Sequence, residues 1–286
     1  MSVPDHASTT TALPIAISPK LAFLTAVQFL TRVPVPGAMS GTMETYKAAL
    51  QASVVYFPLV GVLIGLFTAT INWTAGFFWS PLVAAILAVA AEALLTGAFH
   101  EDALADATDA LGGGWTREQV LEILKDSRHG TYGVLALVLG VSLRIALISN
   151  LSWSMAWLVI PFSTGMGRWS ILILMRRLEP ITDRHTMVRD VGAKPSLKTL
   201  FYSVLYPIAA LCLVLCIRSL APDAWDSPLR FFVPLSVGLA LAVVSSLLMT
   251  WYYARLVQRR VGGVTGDFLG SNCYLVQLVS LLAMQE

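Results

Sequence analysis

Six times along 286 residues the sequence runs apolar for about twenty positions with at most one charge. A helix of that length reaches across a hydrocarbon layer of roughly 30 Å. The runs fall at Leu50–Trp73, Phe77–Phe99, Thr131–Asn150, Trp153–Leu174, Leu200–Ile217 and Phe231–Tyr253. Charged residues make up 13 % of the chain, about half the share of a typical soluble domain. In lipid the backbone must satisfy its own hydrogen bonds, which such runs do as helices. The expected fold class is all-α: a polytopic integral membrane bundle of six to seven spans with short interfacial or amphipathic helices on one side.

The remaining segments fit around that bundle. Residues 1–19 are polar and lack a basic stretch followed by an apolar core, so they read as a disordered tail and not a signal peptide. Residues 20–286 then form a single membrane-embedded domain. Lys20–Thr31 is apolar but too short to cross, and Pro34 and Pro36 stop a helix there, which suggests an interfacial helix. Cys273–Met284 is also short, and either extends back through Leu269 or re-enters without crossing. Gly61 and Gly65 have the small-xxx-small spacing that lets helices approach closely. Trp73, Trp79, Trp153, Trp157, Tyr252 and Tyr253 lie near span ends, as an interfacial aromatic belt would. Cys212, Cys216 and Cys273 form no CxxC or zinc-ligand pattern.

Alternating the spans from the N-terminus sorts the basic residues sharply. Fifteen of the 19 lysines and arginines fall on one side, only Arg218 and Arg230 fall on the other, and Arg144 and Arg168 lie within spans. The positive-inside rule puts the rich side in the cytoplasm. That side also holds the stretch Thr96–Gly133, which carries His100, Glu101, Asp102, Asp106, Asp109, Glu118, Glu122 and Asp126.

The chemistry concentrates in that loop, about residues 99–130. On a helix Asp102, Asp106 and Asp109 stand at i, i+4 and i+7, sharing a face within an arc of roughly 60°. Carboxylates so placed repel unless a cation joins them, and oxygen ligands suit Mg²⁺ or Mn²⁺, whose shell a substrate phosphate commonly completes. Ala103, Leu104, Ala105, Ala107 and Leu111 make the other faces packable, which favours a metal face over a merely solvated helix. Gly112–Gly114 break the helix, and Thr116 with Gln119 forms a capping box for the next, Arg117–Asp126. Lys125, Ser127 and Arg128 then precede Gly130, a plausible phosphate cradle at a helix start. Gly262–Gly270, with Asp267, is a second Gly-rich segment on the same side, equally readable as a flexible loop or as a close backbone approach. Among the intramembrane charges, Glu92 is a natural partner for Arg144, while Arg168 is the better placed to reach a substrate phosphate. His100 suits a general base or metal ligand as well as a hydrogen-bonded surface residue; His6, His129 and His185 have no comparable case.

FLTRVPVP at 29–36, YFPLVG at 56–61, LTGAFHEDALADATDAL at 95–111, LEILKDSRHGTYGVLAL at 121–137 and GGVTGDFLG at 262–270 together resemble the cobalamin synthase family, the adenosylcobinamide-GDP ribazoletransferases. The resemblance implies a membrane enzyme that closes the nucleotide loop of vitamin B12. A hydroxyl of α-ribazole or its 5′-phosphate attacks the phosphorus on the cobinamide arm of adenosylcobinamide-GDP and GMP leaves, with Mg²⁺ required. It further implies metal binding by Asp102, Asp106 and Asp109, and catalysis by His100 and Asp106. Arg32, Lys125, Ser127, Arg128, Arg168, Thr265 and Asp267 would bind substrate. The expected location is a prokaryotic cytoplasmic membrane with the site facing the cytoplasm. The lipid bilayer is a partner, nucleic acid is not, and a homo-oligomer or an assembly with other cobalamin-biosynthesis proteins is left open. The chain departs from the family pattern at Ala103 and Ala110, where glycine is usual, at Glu101, where leucine is, and at Gln277, where an acid is. Nor is the family's pattern after the fourth span recognisable over residues 180–192.

Two alternatives stand beside this reading. CDP-alcohol phosphotransferases use DxxDGxxAR…GxxxDxxxD, a spacing this sequence lacks. A transporter of corrinoids or divalent cations would place its site near the midplane on broken helices, often between repeats, whereas these acids gather at one surface.

Overall fold

A computed structural model describes residues 16–36, 42–181, 194–219 and 228–285. Most of the N-terminal tail, Arg184, Arg189 and most of the segment after the fourth span lie outside the described residues. Among those described, the chain forms helices α1 (Pro19–Leu30), α2 (Met43–Ser53), α3 (Phe57–Ala75), α4 (Pro81–Thr96), α5 (Phe99–Gly113) and α6 (Arg117–Ile123). There follow α7 (Thr131–Ser149), α8 (Trp153–Arg177), α9 (Leu197–Ser219), α10 (Pro228–Val261) and α11 (Gly266–Ala283).

Among the described residues five stretches are long and apolar enough to cross a membrane: Met43–Ala75, Thr131–Ser149, Trp153–Arg177, Leu197–Cys216 and Leu235–Val261. A sixth would be α4 and α5 taken together, but the chain bends by 88° between them. The run expected as one span over Phe77–Phe99 therefore starts at Pro81 and ends at Thr96. The corner is made by Gly97 at φ 73° and Ala98 at φ 55°. Gly97 also lies under the Arg32 side chain, which a Cβ there would overlap. Only glycine meets both demands, while Ala98 carries the cost of a left-handed conformation, of order 1 kcal/mol. Since α5 bears Glu101, Asp102, Asp106 and Asp109, it lies across the end of the bundle and outside its hydrocarbon-facing wall.

The close approach expected at Gly61 and Gly65 is made onto α8. A Cβ on Gly61 would stand 2.6 Å from the Thr164 carbonyl oxygen, and one on Gly65 2.5 Å from Pro161 Cα. The C-terminal piece extends back past Leu269, to Gly266, and forms the centre of the bundle, packed on α5, α8 and α10. Several of its buried polar side chains are partnered: Asn272 donates to Ser170 Oγ at 3.0 Å, Ser280 pairs with Ser246 at 2.9 Å, and Ser271 bonds Tyr253. Asn272 Oδ1, Tyr274 OH and Gln277 Oε1 have no hydrogen-bond partner among the described residues. Tyr253 is thus an interior residue (5 % exposed) and leaves the expected aromatic belt, to which the exposed Trp73, Trp79, Trp153 and Tyr252 conform.

One end of the bundle gathers most of the loops richest in basic residues. Arg32 N–H donates to Leu95 O at 2.7 Å, Val264 N–H to Glu179 O at 2.9 Å, and Arg176 to Pro195 O at 2.9 Å. Arg117 Nε donates to Val261 O at 3.0 Å. The ends of α4, α8 and α10 and the starts of α7, α9 and α11 therefore meet α5 and α6 at one face of the molecule.

Candidate active site

The α5 helix divides as its sequence pattern demands. His100, Glu101, Ala103, Leu104, Ala105, Ala107, Asp109 and Ala110 are buried, Asp102 is exposed and Asp106 half-buried. Small residues let α11 press close: a Cβ on Gly270 would stand 2.5 Å from that of Ala103.

On the open side, ligand atoms of Asp102, Asp106 and His129 all lie within 4.8 Å of one another. His129 Nδ1 is 3.5 Å from Asp106 Oδ1, and its Nε2 is 3.9 Å from Asp102 Oδ1. Partial burial and the neighbouring carboxylates of Asp102 and Asp267 push the Asp106 carboxyl up to about 6. His129, which the sequence pattern passes over, thus joins the two aspartates.

Asp109 is placed differently. Its carboxylate accepts the backbone N–H of Gly130 at 2.7 Å and of Gly133 at 2.9 Å. It supplies from another helix the cap that the first turn of α7 needs. A Cβ at Gly130 would come within 2.6 Å of Asp109 Oδ1, which accounts for glycine there. This clasp ties α5 to the start of α7 and so sets where His129 stands.

The basic candidates occupy several positions. Arg128 folds back on Asp126, with Nη2–Oδ2 at 2.7 Å and Nε–Oδ1 at 3.0 Å, and holds that carboxyl down to about 2. Lys125 and Ser127 are exposed beside it. Arg32 lies over Gly97. Thr265 precedes the first turn of α11 and donates its hydroxyl to Asp267 Oδ2 at 3.3 Å. Arg168 is buried behind the site: Nη1 donates to Thr164 O and Nη2 stands 3.4 Å from His100 Nδ1. The first half of the second Gly-rich segment pairs its backbone with Glu179 and Ile181, and the second half, Gly266–Gly270, lines the site.

Deeper still, Arg144 pairs with Glu92 at 2.7 Å, as its sequence position suggests, and also reaches Glu101 at 3.5 Å. Thr68 donates to the same Glu92 oxygen at 2.5 Å. A cavity of about 250 Å³ opens between α1, α3, α5, α8 and α11, with Asp102 and Asp267 on its edge. Sequence reasoning also missed Arg260, which donates to the carbonyls of Leu111 and Gly114 and seals the end of α5. No periodicity signals that lock, because the residues lie about 150 positions apart.

Fold and site together define a multi-pass helical membrane protein with a carboxylate-histidine cluster at one end, beside an apolar cavity. The chain belongs to the cobalamin-5-phosphate synthase family, whose family model matches residues 22–285. It is similar to the adenosylcobinamide-GDP ribazoletransferase of Shewanella amazonensis, 35 % identical over 92 % of this chain and 94 % of that one. Similar too are those of Rhizobium etli, 35 % identical over 91 % and 94 %, and Albidiferax ferrireducens, 34 % over 92 % and 96 %. No solved structure matches. The transport alternative finds no support in the family or in these relatives.

Proposed function

We propose that this chain is an adenosylcobinamide-GDP ribazoletransferase of the prokaryotic cytoplasmic membrane, with its site facing the cytoplasm. The observation that carries the reading is the convergence of Asp102 and Asp106 beside a largely apolar cavity, in a chain of this family. The concentration of basic residues on the α5 side supports the orientation.

The donor set fits a hard divalent cation. Two carboxylates are held close, and one is driven up to about 6 by burial and its neighbours, a strain that a cation relieves. Asp102 and Asp106 would hold Mg²⁺, with the His129 ring alongside and Asp109 positioning the loop that carries it. When bound, the ion neutralises the donor diphosphate and the charge developing on GMP.

The chain's own groups do the rest. A ribose hydroxyl of the acceptor attacks the phosphorus that carries the cobinamide arm, the new P–O bond forms, and the diphosphate P–O bond breaks to release GMP. Asp267, on the rim of the cavity, takes the hydroxyl proton. Lys125 and Arg128, exposed on the loop before α7, would hold non-bridging oxygens, Arg128 by releasing Asp126, with Ser127 between them and Arg32 across the corner. Arg168 acts at one remove, through His100. His100 is then no general base, since its Nδ1 is already engaged by an obligate donor.

The test is direct. Purified protein in detergent, given adenosylcobinamide-GDP, α-ribazole and Mg²⁺, should release GMP with formation of the complete cobamide, and EDTA should stop it. Absence of GMP under these conditions, with corrinoid accumulating in proteoliposomes, would overturn the reading.

A further inference from the structure

The cavity beside the carboxylates is of a kind that phosphoryl transfer alone does not call for. Its walls are mostly hydrocarbon and aromatic, including Phe29, Phe57, Ile171 and Met175, and the polar side chains that line it are those of His100, Asp102 and Asp267. Phe29 stacks on Phe57 at 5.5 Å between centroids, and Phe99 meets Phe29 edge-on at 5.8 Å, so the rings brace one another into a preformed wall.

His100 lines this cavity and is 2 % exposed, and its Nε2 has no hydrogen-bond partner. The tautomer follows from its other nitrogen. Nδ1 lies 3.4 Å from Arg168 Nη2, and a guanidinium only donates, so Nδ1 accepts and the neutral ring carries its proton on Nε2. A buried N–H without an acceptor is costly, and such groups in native proteins usually await a ligand or water.

We propose that this cavity seats the apolar bicyclic base of the acceptor nucleoside. The unsubstituted ring nitrogen accepts the His100 Nε2–H, and the ribose lies toward Asp102. The assignment rests on the ribazoletransferase reading and says which substrate sits where. Size excludes the corrin: about 250 Å³ is below the roughly 300–1,000 Å³ that enclose drug-sized ligands, and so takes a bicyclic ring and not a macrocycle. Polarity argues against the donor's guanine, whose carbonyl, ring N–H and amine would face phenylalanine, isoleucine and methionine unmatched. A benzimidazole has one polar ring atom, an acceptor, and His100 offers one donor. Asp102 belongs both to the cavity edge and to the carboxylate cluster, so a base seated here brings its ribose hydroxyl to the reacting phosphorus.

The experiment separates this assignment from the reaction itself. Full-length protein in detergent is titrated calorimetrically with α-ribazole, and GMP release gives KM for each substrate. Ile171→Phe and Met175→Phe fill the cavity from one wall, and His100→Phe keeps a ring but removes the donor. Each should weaken α-ribazole binding at least tenfold and raise its KM in proportion, leaving the KM for adenosylcobinamide-GDP within twofold. His100→Gln, whose amide still donates, should restore most of the loss. An α-riboside of indole, with CH in place of the ring nitrogen, should lose on the wild type what α-ribazole loses on His100→Phe, and lose nothing further on that variant. A rise confined to the donor's KM, or folded variants with both constants unchanged, would overturn the assignment. Binding that responds to the variants while no GMP forms would uphold the cavity and overturn the transfer reading.

Discussion

Glu92, Arg144 and Glu101 are all less than a tenth exposed, and their charges are answered within the bundle. Asp102 and Asp106 follow on the same helix, one residue and then one turn past Glu101, and the 37 %-exposed side chain of His129 stands against them. The contrast separates two uses of charge in a mostly apolar chain. Inside, an arginine joins α7 to α4 and α5 and fixes the corner between them, since a lone charge there is untenable. At the end of the bundle, negative charge is left in excess and held in place by the scaffold, an arrangement that suits a cation and a phosphate.

The sharpest way to break this comparison is Asp106→Asn. On the proposed reading its charge serves a ligand and not the fold, so transfer should fall by about 10³-fold or more while membrane insertion and thermal stability hold. GMP release and the melting curve are read side by side. Full activity in the variant would remove Asp106 from the metal face.

The converse substitution is Arg144→Met. It strands Glu92 and Glu101 in the bundle and should cost roughly 3–5 kcal/mol of stability. Adding Glu92→Gln removes the opposing charge and should recover a substantial part of the loss, seen as the order of melting temperatures: wild type, double variant, single variant. A single variant as stable as the wild type would show that the pair does not fix the corner.

Asp109 lies between the two regimes, and its substitution sharpens the boundary. Asparagine keeps one acceptor oxygen for Gly130 or Gly133 but loses the charge, which should cost about 1–3 kcal/mol of local order at the start of α7. Transfer should fall tens of fold, roughly that energy in rate, while the Mg²⁺ concentration at half-maximal rate stays within about threefold of wild type. A half-saturation shifted as far as by Asp102→Asn would return Asp109 to the ligands.

Helical periodicity carried much of this into the sequence. The apolar runs locate the spans, with most ends within two turns, the i, i+4, i+7 spacing finds the charged ridge of α5, and the glycine pair on α3 forecasts a close helix contact, which α8 makes. What periodicity encodes is the side of a helix, not what lies opposite. Asp106 and Asp109 share a face on the wheel, yet one meets an open cluster and the other the start of α7, more than twenty residues on. The 88° corner is invisible to hydropathy, because Thr96-Gly97-Ala98-Phe99 reads as continuous apolar chain. Arg260 closing α5 and Tyr253 turning inward are tertiary facts of the same kind.

His129 is the smallest and most discriminating case. It reaches the aspartates across a triglycine break and a capped helix, and it remains accessible. If it orients or offsets the carboxylates around a cation, as proposed, its loss should weaken metal holding without unfolding anything; such contacts typically contribute 10- to 100-fold in metal affinity, and an exposed one belongs near the lower figure. His129→Asn should therefore raise the Mg²⁺ half-saturation by about tenfold, leave the melting temperature in place, and be rescued to near wild-type rate by excess Mg²⁺. A loss of rate that no Mg²⁺ concentration repairs would move His129 from the cation's surroundings to the reacting groups, and the open cluster would then be, like its buried neighbour, a set of charges matched by the protein itself.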